Sequence, residues 1–232
     1  NNFNPIITYI FRMINILQKK MDRFVIGEIS ENPYSTHIPI LVGISHIYKI
    51  ERVLEFDSGK YSTLTFLDKE IFPSLERLDT FENNEYWFEV MKSLTKMEDR
   101  VNINFIDGPM CLGLEGINFN DYDLIFVDDS DKSYERGKTL IEISKKMESD
   151  NILVVHDYEK LIYKISLLNL ENRYVIKALR PHTGILWRKD KKNTQYFDKL
   201  EKIIINNLEN SRLDNRFYWK SIFTRDFNTT VR

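Results

Sequence analysis

Between residues 52 and 190, short apolar runs alternate with helix-like stretches, and this alternation constrains the fold more than any other feature of the chain. The runs cover 53–56, roughly 75–81, 103–106, 123–127 and 152–155; the helix-like stretches lie near 62–71, 85–97, 133–147 and 158–168. Strands of a parallel sheet are covered on both faces, so they read as unbroken apolar runs. Strand–helix alternation of this kind predicts a doubly wound α/β sheet. One pair departs from the pattern: 174–179 and 185–188 are joined only by residues 180–184, Arg-Pro-His-Thr-Gly. So short a connection requires an antiparallel hairpin. The expected architecture is a seven-stranded, mostly parallel sheet with a reversed terminal hairpin. An N-terminal helical cap (1–51) and a C-terminal helical extension (191–232) flank the core (52–190).

The flanks read as helices. Asn4 and Pro5 suit an N-cap and first helical position. Ile6, Ile10, Met13, Ile14, Leu17 and Met21 then recur at helical spacing. A loop with Pro33 and Pro39 follows, then a second helix over 38–48. Near the other end, Arg188, Lys189, Lys191 and Lys192 form a short solvated run before an amphipathic helix over 196–208. The apolar run 5–17 is broken by Arg12 and Asn15 and is too short to span a bilayer. It also lacks the small-residue cleavage pattern of a signal peptide. The 33 basic and 35 acidic side chains leave a net charge of −2, which argues against a nucleic-acid coat. Cys111 is the single cysteine, so no internal disulfide can form and a reducing, cytoplasmic setting is expected. Neither nucleic acid nor membrane is an expected partner.

In an open α/β sheet, ligands bind at the carboxyl ends of the strands where the winding reverses. The residues that follow each apolar run therefore carry the chemistry. After the first come Glu55, Phe56, Asp57, Ser58, Gly59, Lys60, Tyr61, Ser62 and Thr63. Gly59 allows a tight turn, and Ser62 or Thr63 can cap the helix that begins there. A dinucleotide would need three glycines in this turn so that the backbone could approach its pyrophosphate. Only Gly59 is in place, and Asp57 puts a carboxylate where a phosphate would sit. Both facts count against NAD, FAD and ATP. They do not count against a cofactor that lacks phosphate and carries positive charge, such as S-adenosylmethionine (SAM).

The segments VLEFDSGKYSTL (53–64), LDTFENNEYW (78–87), NINFIDGP (102–109), DYDLIFVDDSDKSYER (121–136) and NILVVHDYE (151–159), in this order, resemble the motifs of class I SAM-dependent methyltransferases. The reversed hairpin resembles the final strand pair of that family. The resemblance implies a cofactor site at Glu55, Asp57, Ser58, Gly59, Tyr61, Ser62 and Thr63. It also implies a carboxylate for the ribose hydroxyls, for which Glu76, Asp79 and Glu82 are candidates. Glu82 is preferred because it ends the most strand-like reading. Asp107 and Gly108 fall where the family contacts adenine, and Asp128 ends the fourth strand, with Asp129 or Ser130 as helix-capping rivals. Asp57 and Tyr61 depart from the family's preference for small residues; an aspartate at 57 suits the positively charged amino group of the cofactor.

Methyl transfer displaces a leaving group that is already activated, so the protein supplies mainly proximity and orientation. A hydroxyl acceptor must still lose a proton, and a histidine suits that task. His156 follows the fifth apolar run and is expected at the mouth of the site as general base, with Asp157 beside it. The stretch FVDDSDKSY (126–134) is also similar to that of cation-dependent O-methyltransferases. This makes Mg²⁺ held by Asp128 and Asp157 the less favoured alternative. His37 lies in the cap, where it could reach the cofactor's tail, or else is an ordinary loop residue. The expected function is SAM-dependent methylation of a hydroxyl, or an amine, on a small molecule. The flanking helices would shape the acceptor pocket or a dimer interface. A non-catalytic methyltransferase-like binding or assembly module is the alternative, favoured by the glycine-poor first turn.

Overall fold

The computed structural model describes residues 32–130, 132–147, 151–188 and 194–214. The helix expected over 6–21, the basic residues 189–192 and the tail beyond 214 lie outside them. Seven strands form one sheet: β1 (Arg52–Phe56), β2 (Arg77–Glu82), β3 (Val101–Phe105), β4 (Leu124–Val127), β5 (Ile152–Val155), β6 (Asn172–Ile176) and β7 (Thr183–Trp187). Their order is β3-β2-β1-β4-β5-β7-β6. The first five pair in parallel, and β7 runs antiparallel to both β5 and β6. The doubly wound sheet with its reversed hairpin is thus present.

Side chains alternate across each strand, so an all-apolar strand feeds two cores. Val53, Leu78, Leu124, Phe126, Ile152, Val154, Ile185 and Trp187 face one layer, built on α1 (Ile38–Ile47), α2 (Ser62–Leu67) and α6 (Thr194–Asp214). Leu54, Phe56, Ile125, Val127, Leu153, Val155 and Leu186 face the other, built on α4 (Ser133–Lys146) and α5 (Leu161–Ser166). Each such side chain contributes about 1.5–3 kcal/mol by leaving water. α3 (Glu85–Leu94) packs on the β2–β3 edge. The cap helix α1 meets α6 at Gly43, where any Cβ would land on the Leu200 side chain. Among the described residues no helix is long and apolar enough to cross a membrane.

The boundaries differ from the sequence expectation where tertiary contacts intervene. β2 starts at Arg77 rather than 75: Leu75 is buried in the core, but ladder pairing begins at Arg52–Arg77. The strand runs on to Glu82 because that residue still pairs with Phe105. β3 is an edge strand with half-exposed positions, which is why its apolar signal is weak and displaced. β6 ends at Ile176, three residues early, because the Glu201 carboxylate of α6 accepts from the backbone N–H of Lys177 and Ala178, at 2.6 and 3.1 Å.

Candidate functional site

The strand order reverses between β1 and β4, so the carboxyl edge there is where the fold opens a crevice. Two clusters of side chains occupy it.

The first surrounds the β1 turn. Asp57 takes φ 80°, a left-handed conformation that suits glycine best and that aspartate tolerates. The turn is stitched by Thr63, whose hydroxyl donates to Glu55 Oε2 at 2.7 Å and accepts from Gly59 N–H at 2.9 Å. Ser62 also bonds the Glu55 side chain. Glu82 stands at the carboxyl end of β2, accepting from Ser58 Oγ at 3.0 Å and Asn84 N–H at 2.7 Å. Its rivals are placed elsewhere. Glu76 precedes the strand, and Asp79 is held mid-strand by Arg77 (2.6 Å) and the Tyr122 hydroxyl (2.7 Å). The Asp57 and Glu82 carboxyls neighbour each other as a pair. Burial, then the charges of Glu82, Asp128 and Asp129, push the Asp57 carboxyl well above the usual range. Burial pushes Glu82 upward too, and Glu55 up to about 7. Gly108, at φ 128°, is tied to the end of β2 through the Asn83 side chain, while Asp107 is exposed beside it. Tyr61 joins the cap, its hydroxyl accepting from Asn32 Nδ2 at 2.6 Å. The carboxyl oxygens of this turn can accept hydrogen bonds from the hydroxyls of a ligand.

The second cluster lies at the ends of β4 and β5. Asp128 Oδ1 meets His156 Nδ1 at 3.0 Å, and His156 Nε2 meets the Thr36 hydroxyl at 2.8 Å. Thr36 in turn lies 3.2 Å from the Pro181 carbonyl oxygen. His156 is therefore buried beneath the cap at 3% exposure, not standing open at a mouth; the segment 32–37, which apolar periodicity could not place, folds over it. Asp157 turns away from it at φ 59°, and its carboxylate pairs with Arg136 (3.3 Å) and Lys160 (3.2 Å). The group of possible metal ligands that the structure assembles is His37, Asp128 and His156, without Asp157.

Arg136, one turn into α4, was not singled out from the sequence, yet it organises this cluster. Its guanidinium is buried, pairs with Asp128 at 3.2 Å, Asp129 at 3.8 Å and Asp157 at 3.3 Å, and reaches the carbonyls of Asp128, Asp129, Ser130 and His156. The available signal was an arginine shortly after a strand-end Asp-Asp pair. Burial pushes Asp128 upward, but the His156 and Arg136 side chains outweigh it and hold its carboxyl at about 2. Asp129, wholly buried and bonded to Thr139, is raised by burial to about 6. His37 is driven down to about 3, first by burial, so its imidazole is neutral.

No protein-family profile and no curated protein matches the chain. Solved structures do. A methyltransferase from Podospora anserina, PaMTH1 with S-adenosylhomocysteine bound, aligns over 68% of this chain and 78% of its own at 15% identity and TM-score 0.52. A candidate caffeoyl-CoA O-methyltransferase from Staphylococcus aureus aligns over 76% and 92% at 15% identity and TM-score 0.50. Against the SAM-dependent methyltransferase SibL, with TM-score 0.48 and 15% identity, the alignment covers 67% of this chain but only 55% of the other. The strand order, the reversed β7 and these likenesses agree: the chain has the class I SAM-dependent methyltransferase fold.

Proposed function

We propose that the chain is a SAM-dependent methyltransferase that acts on a hydroxyl of a small molecule. The observation that carries this reading is the Asp57–Glu82 carboxyl pair at the switch point of a methyltransferase sheet. When bound, SAM supplies a methyl group on a sulfonium. Glu82 would accept from the ribose hydroxyls, and Asp57 would face the ammonium of the amino-acid tail. Glu55, Ser58, Gly59, Tyr61, Ser62 and Thr63 shape the turn around it, Asp107 and Gly108 line the adenine end, and Asp128 closes the site from β4. His156 is the general base, oriented by Asp128 through Nδ1. Its Nε2 meets Thr36 now, and an acceptor hydroxyl would take that place. Asp157 positions this pair through Arg136.

Thermal shift and calorimetry test the cofactor half. SAM or S-adenosylhomocysteine raises the melting temperature by mass action on the folded state, whereas NAD and ATP do not. Tight NAD binding without SAM binding refutes the reading. With an acceptor found by screening hydroxylated sugars and phenols, His156→Ala lowers turnover by about 10²–10⁴-fold at unchanged SAM affinity. The Thr36 contact also supports a second reading, a SAM-binding module without catalysis, since it leaves the base covered. SAM binding with no turnover on any acceptor, and no effect of His156→Ala, selects it.

A further inference from the structure

We propose that His37, Asp128 and His156 form a binding site for a divalent transition-metal ion of the zinc, cobalt or nickel class. The three come from different elements: Asp128 directly after β4, His156 directly after β5, and His37 directly before α1. One ligand atom from each lies within 4.8 Å of the others. His156 Nδ1 is 3.0 Å from Asp128 Oδ1, and His37 Nδ1 is 3.9 Å from Asp128 Oδ2. Ligands bound at 2.0–2.2 Å to one ion stand about 3.0–3.5 Å apart, so the His156–Asp128 pair already has that spacing and the remaining pairs close on the ion by side-chain rotation.

An independent observation points to a ligand. His37 is 1% exposed, and neither of its ring nitrogens has a hydrogen-bond partner among the described residues. Its ring is packed instead against those of Phe126 and His156, with centroids 4.9 and 5.0 Å away. A buried polar group left unpaired is costly, and natural structures rarely keep one without a use. A bound ion supplies the missing partner.

The donor set selects the ion. Two imidazole nitrogens with one carboxylate suit zinc and its neighbours, whereas magnesium and calcium favour oxygen ligands. The remaining contacts resemble the support such a site needs. A metal-bound imidazole must give its other N–H to an acceptor. Here His156 Nε2 faces the Thr36 oxygen, and Thr36 can pass its own hydrogen to the Pro181 carbonyl. Arg136 beside Asp128 opposes a cation, but its charge is also shared with Asp129 and Asp157. Asp128 keeps 21% of its side chain exposed, which leaves an entry. An ion on His156 Nδ1 confines the ring proton to Nε2 and so silences the base. That consequence rests on the proposed function; the binding does not.

The test uses protein stripped with a chelator and titrated with cobalt(II). One equivalent develops the visible absorption of a low-coordinate, nitrogen-ligated cobalt centre, zinc displaces it, and excess Mg²⁺ does not. His37→Gln lowers cobalt affinity by about 100-fold or more, and Thr36→Val by about tenfold, the range for losing the partner of a ligating histidine. His182→Gln leaves affinity unchanged. Only the pale spectrum of hydrated cobalt in the wild type overturns the site, as does undiminished affinity in His37→Gln or displacement by Mg²⁺. If His37→Gln does not fold, the wild-type spectrum and Thr36→Val decide. SAM affinity of the metal-free protein is measured alongside. Its absence with an intact cobalt spectrum refutes the methyltransferase reading and leaves the metal site standing.

Discussion

The two clusters share one edge of one sheet, yet they treat their carboxyl groups in opposite ways. At the β1–β2 end, Glu55, Asp57 and Glu82 are all raised by burial, with no basic side chain among their causes. At the β4 end, Asp128 also feels burial but is held at about 2, because His156 and Arg136 face it. Desolvation is common to both; the fixed guanidinium of Arg136 stands only at the second. One end has no basic side chain among the groups that shift its carboxyls. The other carries its counter-charge within the protein.

The largest expected effect tests the uncompensated end. If Glu82 accepts two ribose hydroxyls, Glu82→Ala removes two charge-assisted bonds of about 1.5–3 kcal/mol each, lowering SAM affinity by about 10²–10⁴-fold. Calorimetry on Glu76→Ala, which lies at the opposite end of β2, shows no comparable loss. An equal loss there breaks the assignment. Next comes the compensated end. Arg136→Met strands Asp128, Asp129 and Asp157 without their buried partner, and removing one member of a buried ion pair costs about 3–5 kcal/mol. Urea denaturation reads this directly. A loss under about 1 kcal/mol means the aspartates do not need the guanidinium.

Glu55 sharpens the contrast through pH. Its folded value, about 7, lies above the unfolded value of 4.5, so the folded state keeps a proton that the unfolded chain releases. Its stabilising contribution is therefore complete below pH 4.5 and is lost as pH rises toward 7. Glu55→Gln, which can still accept from Thr63, removes that slope. Between pH 5 and 8 the wild type loses up to about 3 kcal/mol more than the variant, by linkage. Parallel stability curves for the two proteins contradict a proton-bearing Glu55.

Much of this edge was legible in the chain because buried parallel strands print themselves as apolar runs. β4 and β5 are buried at every position, and both appear at nearly their true bounds. The place of Glu82 was readable for the same reason: it ends a strand, and strand ends form the edge where this sheet opens. What stayed hidden depends on contacts distant in sequence. Thr36 meets His156 across 120 positions, and no local pattern tells a loop threonine that it will cover a strand-end histidine. His37 read as a cap residue for the same reason. Arg136 sits in a helical stretch with many other charges. Only the turn of α4 back over the β4 and β5 ends shows that it faces three aspartates.

The smallest expected effect, at Asp57, bears on both clusters because the charges of Asp128 and Asp129, after burial and Glu82, help to raise its carboxyl. Asp57→Gly has three consequences for the free protein. Glycine relieves the left-handed φ of 80°. It also raises the entropy of the unfolded chain, at a cost of roughly 0.5–1 kcal/mol. These two nearly cancel, since relief at an aspartate is of similar size. The removal of a buried carboxyl remains, and it stabilises increasingly as pH rises, because the wild-type group must either keep its proton or charge in a buried place. Near neutral pH a net gain of about 1 kcal/mol, or about 3 °C in melting temperature, is expected. SAM affinity moves the other way, falling by about tenfold if Asp57 faces the ammonium. S-adenosylhomocysteine, which keeps that ammonium, falls equally. A more stable variant that binds both ligands as well as the wild type confines Asp57 to the turn and leaves Glu82 as the acidic contact of this end.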